Sequence, residues 1–95
     1  MQTYKIGVCC TFGAGSSMML KMNLSTVFSR LGIEAEIEVY DISGISGVAL
    51  DAIYTSAALI SQVEPNAKDA IVISVINYFN LQELEQLTKE HLLKS

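Results

Sequence analysis

Cationic side chains are scarce in this sequence: 6 Lys and Arg stand against 10 Asp and Glu, a formal net charge of −4 over 95 residues. The basic residues are scattered along the chain. Nucleic-acid binding needs them clustered, to displace counterions from phosphates, so no nucleic-acid partner is expected. No apolar run approaches the roughly 20 residues that span a bilayer. The stretch 1–8 carries one lysine and no small-residue cleavage site behind a long apolar core, which predicts no signal peptide and a cytoplasmic, reducing setting. With one histidine, His91, and no CxxC pair, a structural zinc site lacks ligands, and no metal or other cofactor is expected. The two cysteines, Cys9 and Cys10, are neighbours. Adjacent thiols rarely pair with each other, so a disulfide framework is excluded as well.

What the chain has is apolar surface to bury. Hydrophobic residues make up 51% of it and charged residues 17%, a core-rich and not a disordered composition. The length predicts a single domain over residues 1–95. Tyr4 to Cys9 reads as a short buried strand, stopped by the loop Cys10-Thr11-Phe12-Gly13-Ala14-Gly15. A helix is predicted from Ser16, because Leu20, Leu24, Val27, Phe28 and Leu31 recur on one face of a 3.6-residue period. Arg30 in its last turn and Gly32 just beyond mark its end. From Ile33 to Tyr40 apolar residues alternate with Glu34, Glu36 and Glu38, the pattern of a strand with one wet face near a sheet edge.

Further on, 43–50 reads as a crossover of one or two helical turns, Ala52 to Ser56 as a third strand and Ala57 to Gln62 as a short helix. Pro65-Asn66 marks a turn. The run from Ala70 to Ile76 is nearly all apolar, as in a strand covered on both faces. Asn80 with Glu83 opens a last helix to about Leu93, with Leu84, Leu87 and Leu92 inward. This alternation predicts an α/β fold, a three-layer sandwich with a four-stranded parallel sheet and helices on both faces.

In such folds ligands bind beyond the carboxyl ends of strands, at helix N-termini. Cys10, Thr11, Phe12, Gly13, Ala14, Gly15, Ser16 and Ser17 sit there by the strand and helix assignments alone. Gly13 and Gly15 allow positive φ, which would turn successive N–H groups toward one anion. Ser16 and Ser17 add hydroxyl donors. An ordinary thiol is about 3% thiolate at pH 7; lowering its pKa to ~7 makes half of it nucleophilic. The donors that hold a thiolate also hold a phosphate on its sulfur. Thr55 and Ser56 end a strand at the same edge of the sheet, which places them beside the loop by topology.

The segment Cys10-x4-Gly15-Ser16-Ser17-Met18-Met19-Leu20-Lys21-Met22-Asn23 resembles the active-site loop and first helix of the enzyme IIB components of the sugar phosphotransferase system. It is most similar to the ascorbate/galactitol branch, whose loop reads Cys-Gly-Asn-Gly-x-Gly-Ser-Ser before a Met-rich helix. The likeness is specific over about residues 4–32, with Thr11 and Phe12 standing where the branch usually has Gly-Asn. It implies that Cys10, not Cys9, is the nucleophile and phosphate carrier, with residues 11–17 as the phosphate-binding loop. It also implies a relay. A phosphohistidine on a IIA partner donates to the cysteine, which passes the phosphate to a sugar bound by a membrane IIC permease, the partner that selects the sugar. A cytoplasmic domain peripherally associated with that permease follows. Met18 and Met22, one turn apart beside the loop, are the adaptable side chains expected to meet these partners.

Other phosphate chemistries fit the residues less well. A low-molecular-weight phosphatase-like hydrolase needs Cys-x5-Arg, and Ser16 stands at that position. A non-catalytic phosphate- or flavin-binding module of flavodoxin-like type shares the Thr/Gly/Ser loop, yet the chain is short for it and has no Trp to stack on a flavin. Gly13-x-Gly15 opens a dinucleotide fingerprint, but Met18 stands where the third glycine belongs. Cys9, ending an apolar strand, is expected to be enclosed, and His91 to be a packing or surface residue.

Overall fold

The computed structural model of the chain describes residues 3–9, 13–42, 44–67, 70–76 and 80–92, with the backbone alone for 13–17. Its strands are β1 (Tyr4–Cys9), β2 (Ala35–Tyr40), β3 (Ala52–Ser56) and β4 (Ile71–Val75), paired in parallel in the order β2-β1-β3-β4. The long helix α1 (Gly13–Arg30) joins β1 to β2, and a 3-10 turn, Ile45–Gly47, lies between β2 and β3. Between β3 and β4 run a 3-10 turn, Ala57–Leu59, the short helix α2 (Ile60–Val63) and a second turn, Glu64–Asn66. The last helix, α3 (Leu81–His91), follows β4. The predicted α/β sandwich with a four-stranded parallel sheet is the fold observed.

Alternation along the strands sorts their side chains onto two faces. On one, Ile6, Val8, Ala52, Tyr54, Ile73 and Val75 pack with Leu20, Leu24, Val27 and Phe28 of α1 and Leu84 of α3. On the other, Cys9 and Ile53 pack with Ile45, Leu59, Val63 and Ala67. Each fully buried aliphatic side chain contributes about 1.5–3 kcal/mol relative to exposure, so the α1 and α3 layer holds the larger share of the core. At the amino ends of the strands Asp51 acts as a clip. Its carboxylate accepts from the Lys5 amide at 2.8 Å, its own amide donates to the Lys5 carbonyl at 2.7 Å, and its carbonyl accepts from the Ile71 amide at 3.1 Å.

Helix α1 begins at Gly13, three residues earlier than its periodicity predicts. The expected turn at Gly13-Ala14-Gly15 rests on low helix propensity. In a first turn, however, the N–H groups have no intrahelical acceptor in any case, so a glycine there forfeits little. The end of α1 is as predicted: Gly32 has φ 70°, its amide donates to Ser29 at 3.1 Å and the Ile33 amide to Phe28 at 2.9 Å, the paired bonds of a Schellman close. Asn80 caps α3 by accepting from the Glu83 amide at 3.1 Å, while the Glu83 carboxylate accepts from Ile76 at 2.8 Å and ties the helix to β4.

Two strands differ from their patterns. β2 is an edge strand, as its acidic face predicts, but Val39 is 39% exposed where an inward position was expected. β4 is covered on both faces as expected, Ile73 and Val75 packing with α1 and α3 and Val72 against the α2 cluster, but it is the opposite edge of the sheet and Ile71, at its start, is 38% exposed. An apolar run measures how much surface can be buried, not which neighbours arrive to bury it. The predicted helix Ala57 to Gln62 is a 3-10 turn running into α2, and the predicted crossover, of which residues 44–50 are described, contains the 3-10 turn Ile45–Gly47.

Candidate functional site

From β1 the chain crosses through α1 to β2 on one side, and it later enters β3 on the other side of β1. The topological switch point of the sheet therefore lies between β1 and β3, where a crevice opens at the carboxyl ends of the strands. In a parallel sheet the following helix starts at that same end, so the first turn of α1 faces the crevice. The pair runs in register to Cys9↔Thr55, leaving Ser56 one position further along β3.

Cys10, Thr11 and Phe12 lie outside the described residues, directly after Cys9 and before Gly13. Gly13, Ala14, Gly15, Ser16 and Ser17 form the start of α1. This corrects the expected positive φ at Gly13 and Gly15. Among the described residues the positive-φ glycine is Gly32, and Gly13 and Gly15 are helical. Donors toward an anion would then be the N–H groups of a helical first turn, which have no acceptor within the helix and whose partial positive charge adds to their hydrogen bonds. No acidic residue occupies that turn to neutralise them.

Cys9 is 1% exposed, packed on the α2 face. Met18 and Met22 are 49% and 59% exposed on α1, with Met19 at 39% between them. Lys21 lies 3.9 Å from Glu38 of β2. At the end of β3 the Thr55 and Ser56 hydroxyl oxygens are buried and have no hydrogen-bond partner.

Other candidates fall away from the crevice. His91 is in the last turn of α3, which lies toward the amino ends of the strands. Arg30, the sole arginine in the sequence, closes α1, roughly 25 Å along the helix axis from Gly13 at 1.5 Å per residue. An open cavity lined by Thr3, Phe28, Ser29, Ile33 and Glu34 is also at that far end. Among the described residues there is no cluster of His, Cys, Asp and Glu able to hold a metal ion, and no helix long and apolar enough to cross a membrane.

Sequence reasoning reached Thr55 and Ser56 through topology alone. The signal it lacked is that neither hydroxyl finds a partner within the fold. It also missed the buried hydroxyl pair of Tyr54 and Thr88 beneath this face, which no local motif announces.

Three likenesses bear on this arrangement. Residues 5–90 match the family described as the lactose/cellobiose-specific IIB subunit of the phosphotransferase system. The chain is 32% identical over 79 residues to the ascorbate-specific phosphotransferase system EIIB component of Mycoplasma pneumoniae, covering 81% of this chain and 82% of that protein. Its fold is similar to the lactose-specific IIB domain of Streptococcus pneumoniae, with a TM-score of 0.70, 13% identity, and coverage of 96% of this chain and 99% of that one. A family match over nearly its whole length, with a relative 32% identical across most of both chains, identifies the chain as a member of the IIB family, the phosphotransferase components of sugar uptake.

Proposed function

We propose that the protein is a phosphocysteine carrier, a single IIB-type domain over residues 1–95 with Cys10 as its nucleophile. IIB components work with IIA and IIC partners in general. In this reading the Cys10 thiolate attacks the phosphorus of a IIA phosphohistidine. The S–P bond forms as the N–P bond breaks, and the imidazole leaves with the bond's electron pair. In the second step a hydroxyl of the sugar or sugar-like substrate bound by the membrane IIC permease attacks the same phosphorus. The S–P bond breaks, thiolate is regenerated, and the sugar proton passes to a base on the permease side. A soft thiolate serves as both nucleophile and leaving group, which suits reversible transfer.

The observation that carries this reading is the start of α1. A helical first turn without acids opens three residues beyond Cys10, at the switch point of the sheet. Its N–H groups, with those of Thr11 and Phe12 and the hydroxyls of Ser16 and Ser17, are the proposed phosphate ligands. They supply electrostatic stabilisation fixed in place before the group arrives. Met18 and Met22 form part of the surface that meets IIA and IIC, and the domain works in the cytoplasm, peripherally associated with the permease.

Incubation with the general phosphohistidine proteins of the system, followed by intact and peptide mass measurement, tests the assignment. One phosphoryl group on Cys10, absent in Cys10→Ser, is the expected result. Phosphate on Cys9 would move the loop register by one residue, and phosphate on Ser16, Ser17 or His91 would replace the mechanism.

A further inference from the structure

Thr55 is fully buried, and its hydroxyl oxygen has no hydrogen-bond partner; the hydroxyl oxygen of the next residue, Ser56, is likewise buried and unpartnered. An unsatisfied buried hydroxyl costs about 1–3 kcal/mol, and two in succession are unusual in a native fold. Neither residue explains itself locally. Ser56 holds the N-cap position of the turn Ala57–Leu59, where a serine usually caps, yet it makes no capping bond. Thr55 sits level with Cys9 across the β1–β3 pair, where a valine would fill the same space without the polar cost. Both lie at the carboxyl end of β3, which borders the switch point between β1 and β3.

We infer that the Thr55 and Ser56 hydroxyls are the second wall of the phosphate site, donating hydrogen bonds when a phosphoryl group is carried and left without a partner when it is not. The inference rests on the carrier reading above and adds two residues from a different strand. Alternate strand residues face opposite sides of the sheet, so the pair brackets the end of β3, with Ser56 on the α1 side and Thr55 on the Cys9 side. A hydrogen bond to a charged acceptor stabilises more than a neutral one. The phosphorylated state therefore gains from groups that only penalise the free state, which shifts the carrier toward holding its phosphate.

The test compares Thr55→Val and Ser56→Ala with the parent chain, using Thr55→Ser and Ser56→Thr as conservative controls. In the free protein both deletions are expected to leave the melting temperature unchanged or raised, because they remove an unmet polar group. At equilibrium with the phosphorylated donor protein, each is expected to lower the ratio of phosphorylated to free chain about tenfold, the effect of one lost charge-assisted bond. The hydroxyl-bearing controls should restore it. A purely structural role predicts the reverse pattern, a lower melting temperature with an unchanged ratio, and overturns the inference. So does a parent-like ratio in both deletions while the parent takes phosphate on Cys10, an outcome that leaves the carrier reading standing. A parent chain that takes no phosphate on Cys10 overturns both.

Discussion

Tyr54 stands in the middle of β3 with its ring edge-on to Phe28, at 6.5 Å between centroids, and its hydroxyl against Thr88 of α3. Thr88 spends its proton on the Leu84 carbonyl at 2.8 Å, so the tyrosine donates to the threonine. Burial pushes the Tyr54 phenol up to about 12 from its ordinary 10, while the Thr88 hydroxyl, turned to donate to the phenolate, works against the shift. The folded state thus holds this proton more tightly than the unfolded chain. Below pH 10 both states are protonated and the contribution to stability is complete. From pH 10 to 12 the unfolded chain loses its proton first, and the contribution falls by up to about 3 kcal/mol. Tyr54→Phe is expected to cost about 1 kcal/mol at pH 7 through the lost bond, and to flatten this alkaline decline. Urea unfolding of both proteins at pH 7 and pH 11 measures it, and an equal decline in the variant would assign the effect to other groups. Gly32 offers a second measurement of the same size. Nothing lies within 4 Å of an added Cβ, but φ is 70°, so Gly32→Ala should cost on the order of 1 kcal/mol through backbone strain alone, read as a lower urea midpoint with unchanged slope.

Helix α1 carries both halves of the proposed function, a first turn toward the phosphate and an exposed methionine surface toward partners. Met18 and Met22 are half-exposed or more, so Met18→Glu with Met22→Glu should change stability by no more than about 0.5 kcal/mol per site. Phosphate uptake from the IIA donor should nevertheless slow, because apolar contact is lost and the new charges repel the incoming phosphate. Transfer at the parent rate would remove these residues from the docking surface. The apolar face of this helix was legible in the sequence because Leu20, Leu24, Val27 and Phe28 repeat at the period of the backbone, and its end because Gly32 has one conformational reason to be there. Its beginning was not. Glycine propensity describes an interior position, whereas Gly13 and Gly15 occupy a first turn whose N–H groups need an external acceptor. The edge position of β4 was not legible either: an apolar run such as Ile71 to Val75 reports covered faces, as its packing on both sides bears out, while strand order is a property of the connections. Exposed Val39 lies on the other edge, where β2 has a neighbour on one side only.

For the whole molecule, the order β2-β1-β3-β4 decides what the thiol can do. No local pattern encodes that order, yet it sets which residues flank the crevice: the end of β1, the end of β3 and the start of α1. It also sets which residues are kept away. The chain's one arginine closes α1, about a helix length from the crevice, and His91 lies toward the same far end. A cysteine phosphatase requires a guanidinium on the transferring phosphoryl group and an acid to protonate the leaving group. Here the arginine is a helix length away, and no acidic residue occupies the first turn of α1 or the last residues of β3. A carrier works better without either, since activated water would drain the phosphate before the sugar receives it. Purified protein is therefore expected to release phosphate from aryl phosphates at a rate indistinguishable from that of Cys10→Ser, while still accepting phosphate from phosphohistidine. Steady turnover of an aryl phosphate that depends on Cys10 would mean that some other group takes the place of the missing arginine, and would return the molecule to the hydrolase reading.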